Sequence, residues 1–478
     1  MTKIKLMTHQ QAALEKSRTE RNLALFHDVG TGKTITAISI YIDKLSQYDR
    51  FLRCVIFAPK AVLGGWKKEF ALFSDVDHSR VTVLTGPTKD RLKLFKEKTA
   101  HFSSQIFILN YESLLSKDLQ SAIVKWKPEI LICDEAHRLK SHESKRSKLM
   151  EPIARGTLHN YLLTGTPIVN SEMDIFQQYK ILDGGETFGD KFFVFRTVYF
   201  EDENASWSHR DNHFPKFVPK KFTHEKMKRL IAASAVQANK KDCIDLPPLV
   251  YRTVEVELSP EQKRTYKEMK EEFITFIRDN QDKPRAVMAE LAMHKALRLQ
   301  QIVSGFVRVE KTETEPEKDI RLKSNPRLEI LQDLLTDIVP AEKVIVWCCF
   351  RENYKMITEM LEKEKWSYAM VVGGMSDVQA EIDRFQTDPS CRVLIANQQA
   401  GGSGLNLQQA STAIYYSKSF SLEHDIQSLA RCYRKGSDIH QKVTRIDLVA
   451  PETIDVLVNE ALKRKQSVAD LILDWSNI

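Results

Sequence analysis

The sequence has no long apolar stretch, and this absence limits what the protein can be. Its longest uninterrupted apolar runs, such as VIVWCCF at 344–350, are only as long as a strand, whereas a membrane-spanning helix needs about 20 apolar residues. The first residues, MTKIKLMTHQQAALEKS, also lack the apolar core of a signal peptide. We therefore expect neither a transmembrane helix nor a secretory signal.

Cysteine is scarce and is not arranged in pairs. The chain has seven cysteines and no CxxC motif, so the pattern indicates neither a zinc cluster nor a disulfide framework. Cys54, Cys133, Cys348 and Cys349 lie in apolar, strand-like runs, where cysteine is usually a small core residue. A reducing, intracellular setting is expected.

The fraction of charged residues is ordinary, but the net charge is positive. Of 478 residues, 71 are Lys or Arg and 64 are Asp or Glu, which gives a net charge of +7. The chain is too long for one ordinary domain, and its 42% of hydrophobic residues are enough for sizeable cores. The positive excess suits a polyanionic partner without proving one.

Short apolar runs bounded by turn residues recur in the first third of the chain and again near its end. The early runs are LALF, CVIFA, VTVL, IFIL, EILIC and YLLT, and the late ones are KVIVWCC, YAMVV, CRVLIA, TAIYY and VTRIDLV. Segments with helical spacing lie between most of them, and continuous apolar runs are typical of strands buried on both faces. The predicted fold class is therefore α/β, with two parallel sheets flanked by helices.

The stretch HDVGTGKT is typical of a loop that binds phosphate. Gly30 and Gly32 allow close approach of the backbone, and Lys33 at the start of a helix can reach the β- and γ-phosphates. Thr34 can offer its hydroxyl to Mg²⁺. The strict GxxxxGK[ST] pattern has glycine where this chain has His27, so a plain strand-to-helix turn is the alternative for this stretch alone.

A pair of carboxylates, Asp134 and Glu135, follows the strand-like run ILIC. The first can hold Mg²⁺ and the second can orient an attacking water, as phosphoryl transfer requires. An acidic helix cap is the structural alternative. Thr164 and Thr166, after a third apolar run, can link the carboxylates to a second site. Together with the glycine-bearing loop, the carboxylates predict ATP hydrolysis.

Near the C-terminal end, Gln427, Arg431 and Arg434 are four and three residues apart. On a helix this spacing places them on one face. Two arginines on one face suit the negative charge that develops during phosphoryl transfer. A solvated basic helix face is the alternative.

In their order along the chain, these motifs resemble those of the superfamily-two helicase-like motors, and specifically the Swi/Snf-type ATPases. The stretches that carry the resemblance are THQ, FAPKAVLGGWKKEF, FILNYESL, DEAHRLKSHESK, LTGTPIVN, LPPLVYRTVEVELSPEQKRTY, ANQQAGGSGLNLQQAS and QSLARCYRKGS. They cover nearly the whole chain. The resemblance implies two RecA-like lobes with helical insertions between and on them, and use of ATP and Mg²⁺.

The resemblance, together with the charge pattern, assigns an expected role to individual positions. The residues expected to bind ATP and Mg²⁺ are Gln10, Gly30, Thr31, Gly32, Lys33, Thr34, Asp134 and Gly404. The residues expected to act in hydrolysis are Lys33, Glu135, Gln427, Arg431 and Arg434. The residues expected at DNA are Lys60, Asn110, Tyr111, Lys220, Lys221, Lys240, Lys241 and Ser403. For the aromatic side chains of Trp66 and Tyr111, a place in the core is favoured over stacking on bases.

The chain departs from the family pattern at a few positions. His27 and Asp28 stand where the family often has Asp-Glu, and Gln237 and Ala238 replace a usual pair of arginines. SFSL replaces the usual Trp-Asn-Pro, and Ser437 replaces a glutamine. These departures concern the coupling of the lobes more than the ATP site.

Four segments are expected from this organisation. Residues 1–185 form the first lobe, which binds ATP, and residues 186–250 form a basic helical insertion. Residues 251–336 form a helical insertion and linker, and residues 337–478 form the second lobe with C-terminal helices.

A basic, aromatic stretch supports a nucleic-acid partner. Residues 210–241 contain nine Lys or Arg, two acidic residues and three phenylalanines. Such a surface binds the phosphate backbone with little sequence preference, although a solvated insertion is an equal alternative.

The expected function is an ATP-dependent motor that translocates on double-stranded or forked DNA, without sequence preference. It would remodel forks, junctions or protein–DNA complexes. A monomer is expected. A strand-separating helicase is one alternative, and an ATP-gated clamp that does not move is another. The compact chain favours a bacterial or phage source and a cytoplasmic setting, with the nucleus as the alternative.

Overall fold

The computed structural model of the protein describes residues 5–100, 105–168, 171–204, 217–243, 246–279, 285–309, 318–375, 377–401 and 405–464. The chain divides into two compact units, Met1–Asp245 and Leu246–Ile478. Each unit is built on one parallel sheet, which confirms the predicted α/β class.

The first unit contains a seven-stranded sheet. Its strands β1 to β9 are Leu23–His27, Cys54–Ala58, Val81–Val83, Ile106–Asn110, Ile130–Asp134, His159–Leu163, Phe200–Asp202, Phe217–Pro219 and Ala235–Ala238. Its helices α1 to α10 are Thr8–Thr19, Lys33–Tyr48, Leu63–Phe73, Thr88–Ala100, Lys117–Trp126, Lys145–Arg155, Asp174–Asp183, Phe192–Tyr199, Thr223–Ala233 and Lys240–Cys243. The sheet has the order β3-β4-β2-β5-β6-β1-β9, and β7 and β8 form a separate antiparallel pair.

The sheet of the first unit is covered on both faces, as its apolar strands predict. All five residues of β1, β2, β5 and β6 are buried. Along β1, Ala24 and Phe26 join one apolar cluster, while Leu23 and Leu25 join the other. Strands β5, β6 and β1 are parallel neighbours, so the segments that follow them meet at one edge of the sheet, where ligands bind in open α/β folds.

The second unit repeats this architecture with six strands. Strands β10 to β17 are Leu249–Glu255, Phe306–Val309, Lys318–Arg321, Lys343–Trp347, Tyr368–Val371, Val393–Ala396, Ala410–Tyr415 and Val443–Val449. Helices α11 to α18 are Pro260–Asp279, Arg285–Val303, Pro326–Ile338, Arg351–Lys363, Val378–Thr387, Gln398–Gly401, Leu422–Cys432 and Ile454–Arg464. The sheet has the order β10-β17-β16-β13-β15-β14, and β11 and β12 form an antiparallel hairpin.

The segments expected to be helical insertions also contain strands. The basic segment 186–250 supplies β9, which pairs with β1 at the edge of the first sheet. Strand β10 begins in the same segment and pairs along its whole length with β17 in the second sheet. The short, weakly apolar runs AVQA and LVYRTVE form strands because a neighbouring strand accepts them, which local patterns do not reveal.

Among the residues that the structure describes, no helix is both long enough and apolar enough to span a membrane.

Candidate functional site

The loop between β1 and α2 has the backbone conformation that its glycines allow. Gly30 and Gly32 have φ angles of 92° and 85°, in the left-handed region that glycine adopts at little cost. A Cβ atom at Gly32 would lie 2.5 Å from Nε2 of Gln10. Glycine at this position therefore lets the side chain of Gln10 reach the loop.

Gly32→Ala is expected to destabilise the protein by about 1–2 kcal/mol, because alanine would be held at positive φ, and to weaken ATP binding by displacing Gln10. Urea unfolding and a nucleotide titration would measure both effects. Gly64→Ala is the matched control, because a Cβ at Gly64 has no atom within 4 Å. Unchanged stability and unchanged ATP affinity in the Gly32 variant would contradict the account of this loop.

The first turn of α1 is attached to the same loop. His9 Nε2 lies 2.9 Å from the carbonyl oxygen of Thr31, and Gln10 Nε2 donates to that oxygen at 3.3 Å. Gln10 Oε1 accepts a hydrogen bond from the backbone of Met7. Thr31 itself is buried, and its hydroxyl donates to the carbonyl of Asp28. Gln10 and Thr31, both expected at the nucleotide, thus meet beside the loop.

The ammonium group of Lys33 lies inside the curve of the loop. Its Nζ donates to the carbonyl oxygen of His27 at 2.9 Å and to that of Asp28 at 3.4 Å. The side chain is buried, so the positive charge lies within the loop and not in bulk water. Thr34 follows in the first turn of α2.

His27, which replaces the glycine of the strict motif, is a fully buried neutral ring. Burial lowers its pKa to about 3, and His9 and Lys33 lower it further in the same direction. Its ring lies edge-to-face with that of His9, at 5.3 Å between centroids. Neither ring nitrogen has a hydrogen-bond partner among the described residues. The strand end before the loop therefore carries a neutral ring at this position.

The paired carboxylates lie at the end of β5, two strands from β1. Trp66 Nε1 donates to Asp134 Oδ2 at 2.9 Å in the interior. Burial, and then the neighbouring charge of Glu135, raises the pKa of Asp134 to about 6. Glu135 has a φ of 52°, a conformation that costs a non-glycine residue free energy and is often found at functional sites.

Glu135 is linked to the turn after β6 through a histidine. His137 Nδ1 lies 3.5 Å from Glu135 Oε2 and 3.0 Å from Thr164 Oγ1. Thr164 Oγ1 also accepts a hydrogen bond from the backbone of Thr166. His137 thus connects Glu135 to Thr164, a contact that the sequence did not reveal although His137 lies within the DEAH stretch. The link from Thr164 to a second site stays a prediction.

Tyr111 lies in the core and not at a DNA surface. Its side chain is fully buried, and its hydroxyl donates to the backbone carbonyl of Asp134 at 2.6 Å. This placement replaces the expected DNA contact with a structural role, that of supporting the strand end that carries Asp134. Asn110 is half-buried and accepts hydrogen bonds from Arg91 and Ser113.

The other residues expected at DNA have varied surroundings. Lys60 and Lys221 are exposed, whereas Lys220 Nζ donates to the carbonyl of Thr197 at 2.6 Å. Lys240 begins α10, and its backbone N–H donates to Asp28 Oδ2 at 2.9 Å. Lys241 lies in the same helix. Ser403 and Gly404 lie outside the described residues.

In the second unit, the two arginines converge but do not share a helix face. Helix α17 ends at Cys432, so Arg434 lies in the turn beyond it, which corrects the expected single face. The chain leaves the helix before Gly436, whose φ of 96° continues the turn. Arg431 and Arg434 nevertheless both donate through NH1 to the carbonyl oxygen of Leu405, at 3.4 and 3.2 Å.

Gln427 lies one turn before Arg431 on α17. Its Nε2 donates to Glu423 Oε1 at 3.1 Å, and its carbonyl oxygen accepts a hydrogen bond from Arg431 Nε at 3.1 Å. Gln427 and Arg431 are both buried. The two residues thus lie one turn apart on α17, and Arg431 donates to backbone carbonyls of Gln427 and Leu405.

The family model of the SNF2-related domain matches residues 6–314, and that of the helicase conserved C-terminal domain matches residues 326–436. CHD3-type chromatin-remodeling factor PICKLE of Arabidopsis thaliana is 24% identical over 490 residues, which cover 95% of this chain and 33% of that protein. Chromodomain-helicase-DNA-binding protein 6 of Homo sapiens is 25% identical over 463 residues, which cover 89% of this chain and 16% of that protein.

A solved structure is also similar, the Sulfolobus solfataricus SWI2/SNF2 ATPase core in complex with double-stranded DNA. It has 22% sequence identity and a TM-score of 0.44, with 99% of this chain and 94% of that chain covered. The chain spans about a third or less of the length of the two curated relatives named above. Because the SNF2-related domain accounts for more than half of its residues, the chain belongs to the SNF2-related family of superfamily-two ATPases.

Proposed function

We propose that the protein is a motor that uses ATP hydrolysis to translocate on double-stranded DNA and thereby remodels forks, junctions or protein–DNA complexes. The observation that carries this proposal is the grouping of Lys33, Asp134 and Glu135 at the ends of β1 and β5, strands of one parallel sheet. Hydrolysis of ATP requires a phosphate-binding cation and paired carboxylates in such an arrangement.

The residues at this edge also fit a bound Mg²⁺ ion. Asp134 supplies a carboxylate and Thr34 a hydroxyl, and Mg²⁺ prefers oxygen ligands with several waters. The raised pKa of Asp134 reflects a buried negative charge that a cation would stabilise. When bound, the ion would neutralise charge on the phosphates. Lys33 and the backbone N–H groups at the start of α2 would hold the phosphates themselves.

Glu135 is assigned as the residue that orients and activates the attacking water. Its carboxylate follows Asp134 directly, and His137, which also contacts Thr164, lies against it on one side. Arg431 and Arg434 would stabilise the negative charge that develops on the transferred phosphoryl group, and Gln10 would contact the adenine. Gly404 and Ser403 keep their expected roles at nucleotide and DNA as part of this proposal.

Glu135→Gln is expected to lower kcat about 10²-fold, because glutamine keeps the shape of the side chain but cannot accept a proton. ATP and DNA binding should be retained, which titrations with each ligand would show. Glu143→Gln, which changes an exposed carboxylate outside the strand end, should leave kcat unchanged. Turnover at the wild-type rate in the Glu135 variant would refute the assigned role.

DNA is the proposed polyanionic partner, bound through its phosphates without sequence preference. The candidates for these contacts in the first unit are five lysines, of which two are exposed. They are Lys60 and Lys221, which are exposed, and Lys220, Lys240 and Lys241. Contacts to phosphate position a protein on the duplex without reading its sequence. Because the phosphate backbone is the same at every base pair, repeated ATP turnover would then move the protein along the duplex.

Lys221→Ala is expected to weaken DNA binding equally for different sequences. If Lys221 neutralises one phosphate, the slope of log K against log salt concentration should become shallower by about 0.9. Lys96→Ala, which removes an exposed lysine from α4, is the control and should leave the slope unchanged. An unchanged slope in the Lys221 variant would remove this residue from the interface.

Displacement of a third strand from a DNA triplex tests whether the protein moves. A translocase ejects the third strand when ATP is present, whereas an ATP-gated clamp leaves it in place. Unwinding of a duplex that carries no triplex would instead favour the strand-separating helicase. The expected bacterial or phage source, the cytoplasmic setting and the monomeric state stay predictions.

A further inference from the structure

Helix α17, which carries Gln427 and Arg431, is attached to the sheet of its own unit by buried charges. Asp425 near the start of the helix accepts two hydrogen bonds from Arg445 of β17, at 2.9 Å from NH1 and 2.7 Å from NH2. Asp425 is 8% exposed and Arg445 is 5% exposed. This pair is bidentate, a geometry that fixes direction as well as distance.

The guanidinium group of Arg445 is itself held from two further sides. Its Nε donates to Asp447 at 3.0 Å, and Asp447 also pairs with Lys418 at 2.9 Å. The carbon Cζ of Arg445 lies 4.0 Å from the centroid of the Tyr415 ring, within cation–π range. Burial raises the pKa of Asp447, but Lys418 and Arg445 together outweigh it and keep that pKa below its ordinary value.

A second attachment lies one turn further along the helix. Ser428 Oγ lies 2.9 Å from the hydroxyl of Tyr415 on β16 and donates to the carbonyl of Asp425. Gln398 Nε2 donates to the same Ser428 oxygen at 3.3 Å. Asp425 and Ser428 are three residues apart, so both attachments lie on one side of the helix.

Gln427 and Arg431 lie next to the second attachment, because Arg431 is three residues beyond Ser428. At 100° per residue they point about 200° and 240° from Asp425. A helix held at two points on one side cannot turn about its axis, so the attachments set the direction in which Arg431 leaves the helix. The turn that carries Arg434 follows directly from its end.

We propose that Asp425 and Arg445 are positioning residues for the arginine pair that acts on ATP. This inference rests on the proposed function, because it assigns a purpose to the direction of Arg431. A buried ion pair adds little net stability compared with well-packed apolar side chains. The Asp425–Arg445 pair is therefore explained by the fixed geometry that it gives to α17, and not by a contribution to the free energy of folding.

The structure provides a matched control in the same unit. Arg327 on α13 is also fully buried, pairs with Asp455 and donates to the carbonyl of Tyr416 at 2.7 Å. None of these partners belongs to α17. Arg327→Met and Arg445→Met each remove one buried guanidinium. The first leaves Asp455 without this partner, and the second leaves Asp425, while Asp447 keeps Lys418. Their thermal unfolding temperatures should therefore fall together.

Only Arg445→Met is expected to change catalysis. Its kcat for ATP should fall about 10²-fold, as for other small misplacements of a catalytic group, while KM for ATP and the Kd for duplex DNA change less than about threefold. The kcat of Arg327→Met should stay within twofold of wild type, measured for both variants at a temperature where they are folded. Amide hydrogen exchange within residues 422–432 should be about tenfold faster in Arg445→Met than in Arg327→Met.

A rescue tests the geometry directly. Asp425→Asn with Arg445→Gln replaces the ion pair with an amide pair, and it should recover part of the lost kcat. If both methionine variants fail to fold, Ser428→Ala removes the second attachment with a smaller change and should lower kcat with KM unchanged. Equal kcat values in Arg445→Met and Arg327→Met, or an unchanged kcat in the folded Ser428 variant, would overturn the proposal.

These outcomes are distinct from failure of the proposed function. An inactive wild-type protein would refute the ATP-driven motor itself. An active wild-type protein whose Arg445→Met variant keeps its kcat would refute only the positioning role.

Discussion

Lys33→Ala is expected to lower ATP turnover about 10³-fold, the upper end of the loss found when one preorganised donor to a reacting centre is removed. The lysine ammonium lies within the loop, where the carbonyls of His27 and Asp28 orient it. The buried ring of His27 beside it is neutral, because burial lowers its pKa to about 3. The position of Lys33 in the loop would place its positive charge at the β- and γ-phosphates when ATP is bound. Steady-state hydrolysis at saturating DNA measures the effect.

Lys44→Ala is the control for this substitution. Lys44 is also a buried lysine of α2, but its Nζ donates to Gln47 within the same helix. Loss of a buried lysine as such would affect both variants, whereas loss of the phosphate-binding charge affects only the first. Comparable activity in the two alanine variants would show that Lys33 does not bind phosphate.

Arg434→Ala is expected to lower kcat by about 10³-fold while KM for ATP changes little, as when an arginine that stabilises the transition state is removed. Arg434 shares the Leu405 carbonyl with Arg431, so the two guanidinium groups lie close together. An arginine that acts on charge developed in the transition state contributes little to ground-state binding. The distinction between kcat and KM is therefore the informative readout.

Lys435→Ala serves as its control, because Lys435 is the next residue and its side chain is exposed. It removes one positive charge from the same turn without changing the pair at Leu405. A large rise in KM with unchanged kcat in Arg434→Ala would assign this arginine to ground-state binding of ATP. It would then not be the residue that stabilises the transition state.

The sequence predicted the parts of the site that depend on local spacing. The glycine turn before Lys33 and the carboxylates after β5 each follow a short apolar strand, and parallel order alone brings their ends to one edge. The convergence of Arg431 and Arg434 was anticipated for a different reason. The helix ends between them, and it is the turn before Gly436 that returns Arg434 to the Leu405 carbonyl.

Contacts between distant segments could not be predicted in the same way. A core position for Tyr111 was favoured, but not the contact of its hydroxyl with the backbone of Asp134, 23 residues further along the chain. Strand β9 exists because β1 accepts it as an edge partner, although its sequence, AVQA, has little strand character. In each case the interaction that decides the structure is tertiary, and the local sequence pattern does not predict it.

Buried charge is the clearest example of this limit. Arg445 and Asp425 are charged residues of a kind that sequence patterns assign to the surface. Only the fold shows that both are buried and face each other across β17 and α17. The residues that hold a catalytic group in position are thus harder to identify from sequence than the catalytic group itself.

The most direct test of the account is steady-state ATP hydrolysis without nucleic acid and with single-stranded DNA, blunt duplex DNA, forked DNA or RNA, using Lys33→Ala as the blank. The account predicts a low basal rate that blunt duplex DNA stimulates strongly, and a further preference for forks would specify remodelling of replication forks or junctions. Equal rates with and without every nucleic acid would contradict it, because the ATPase would then not be coupled to DNA.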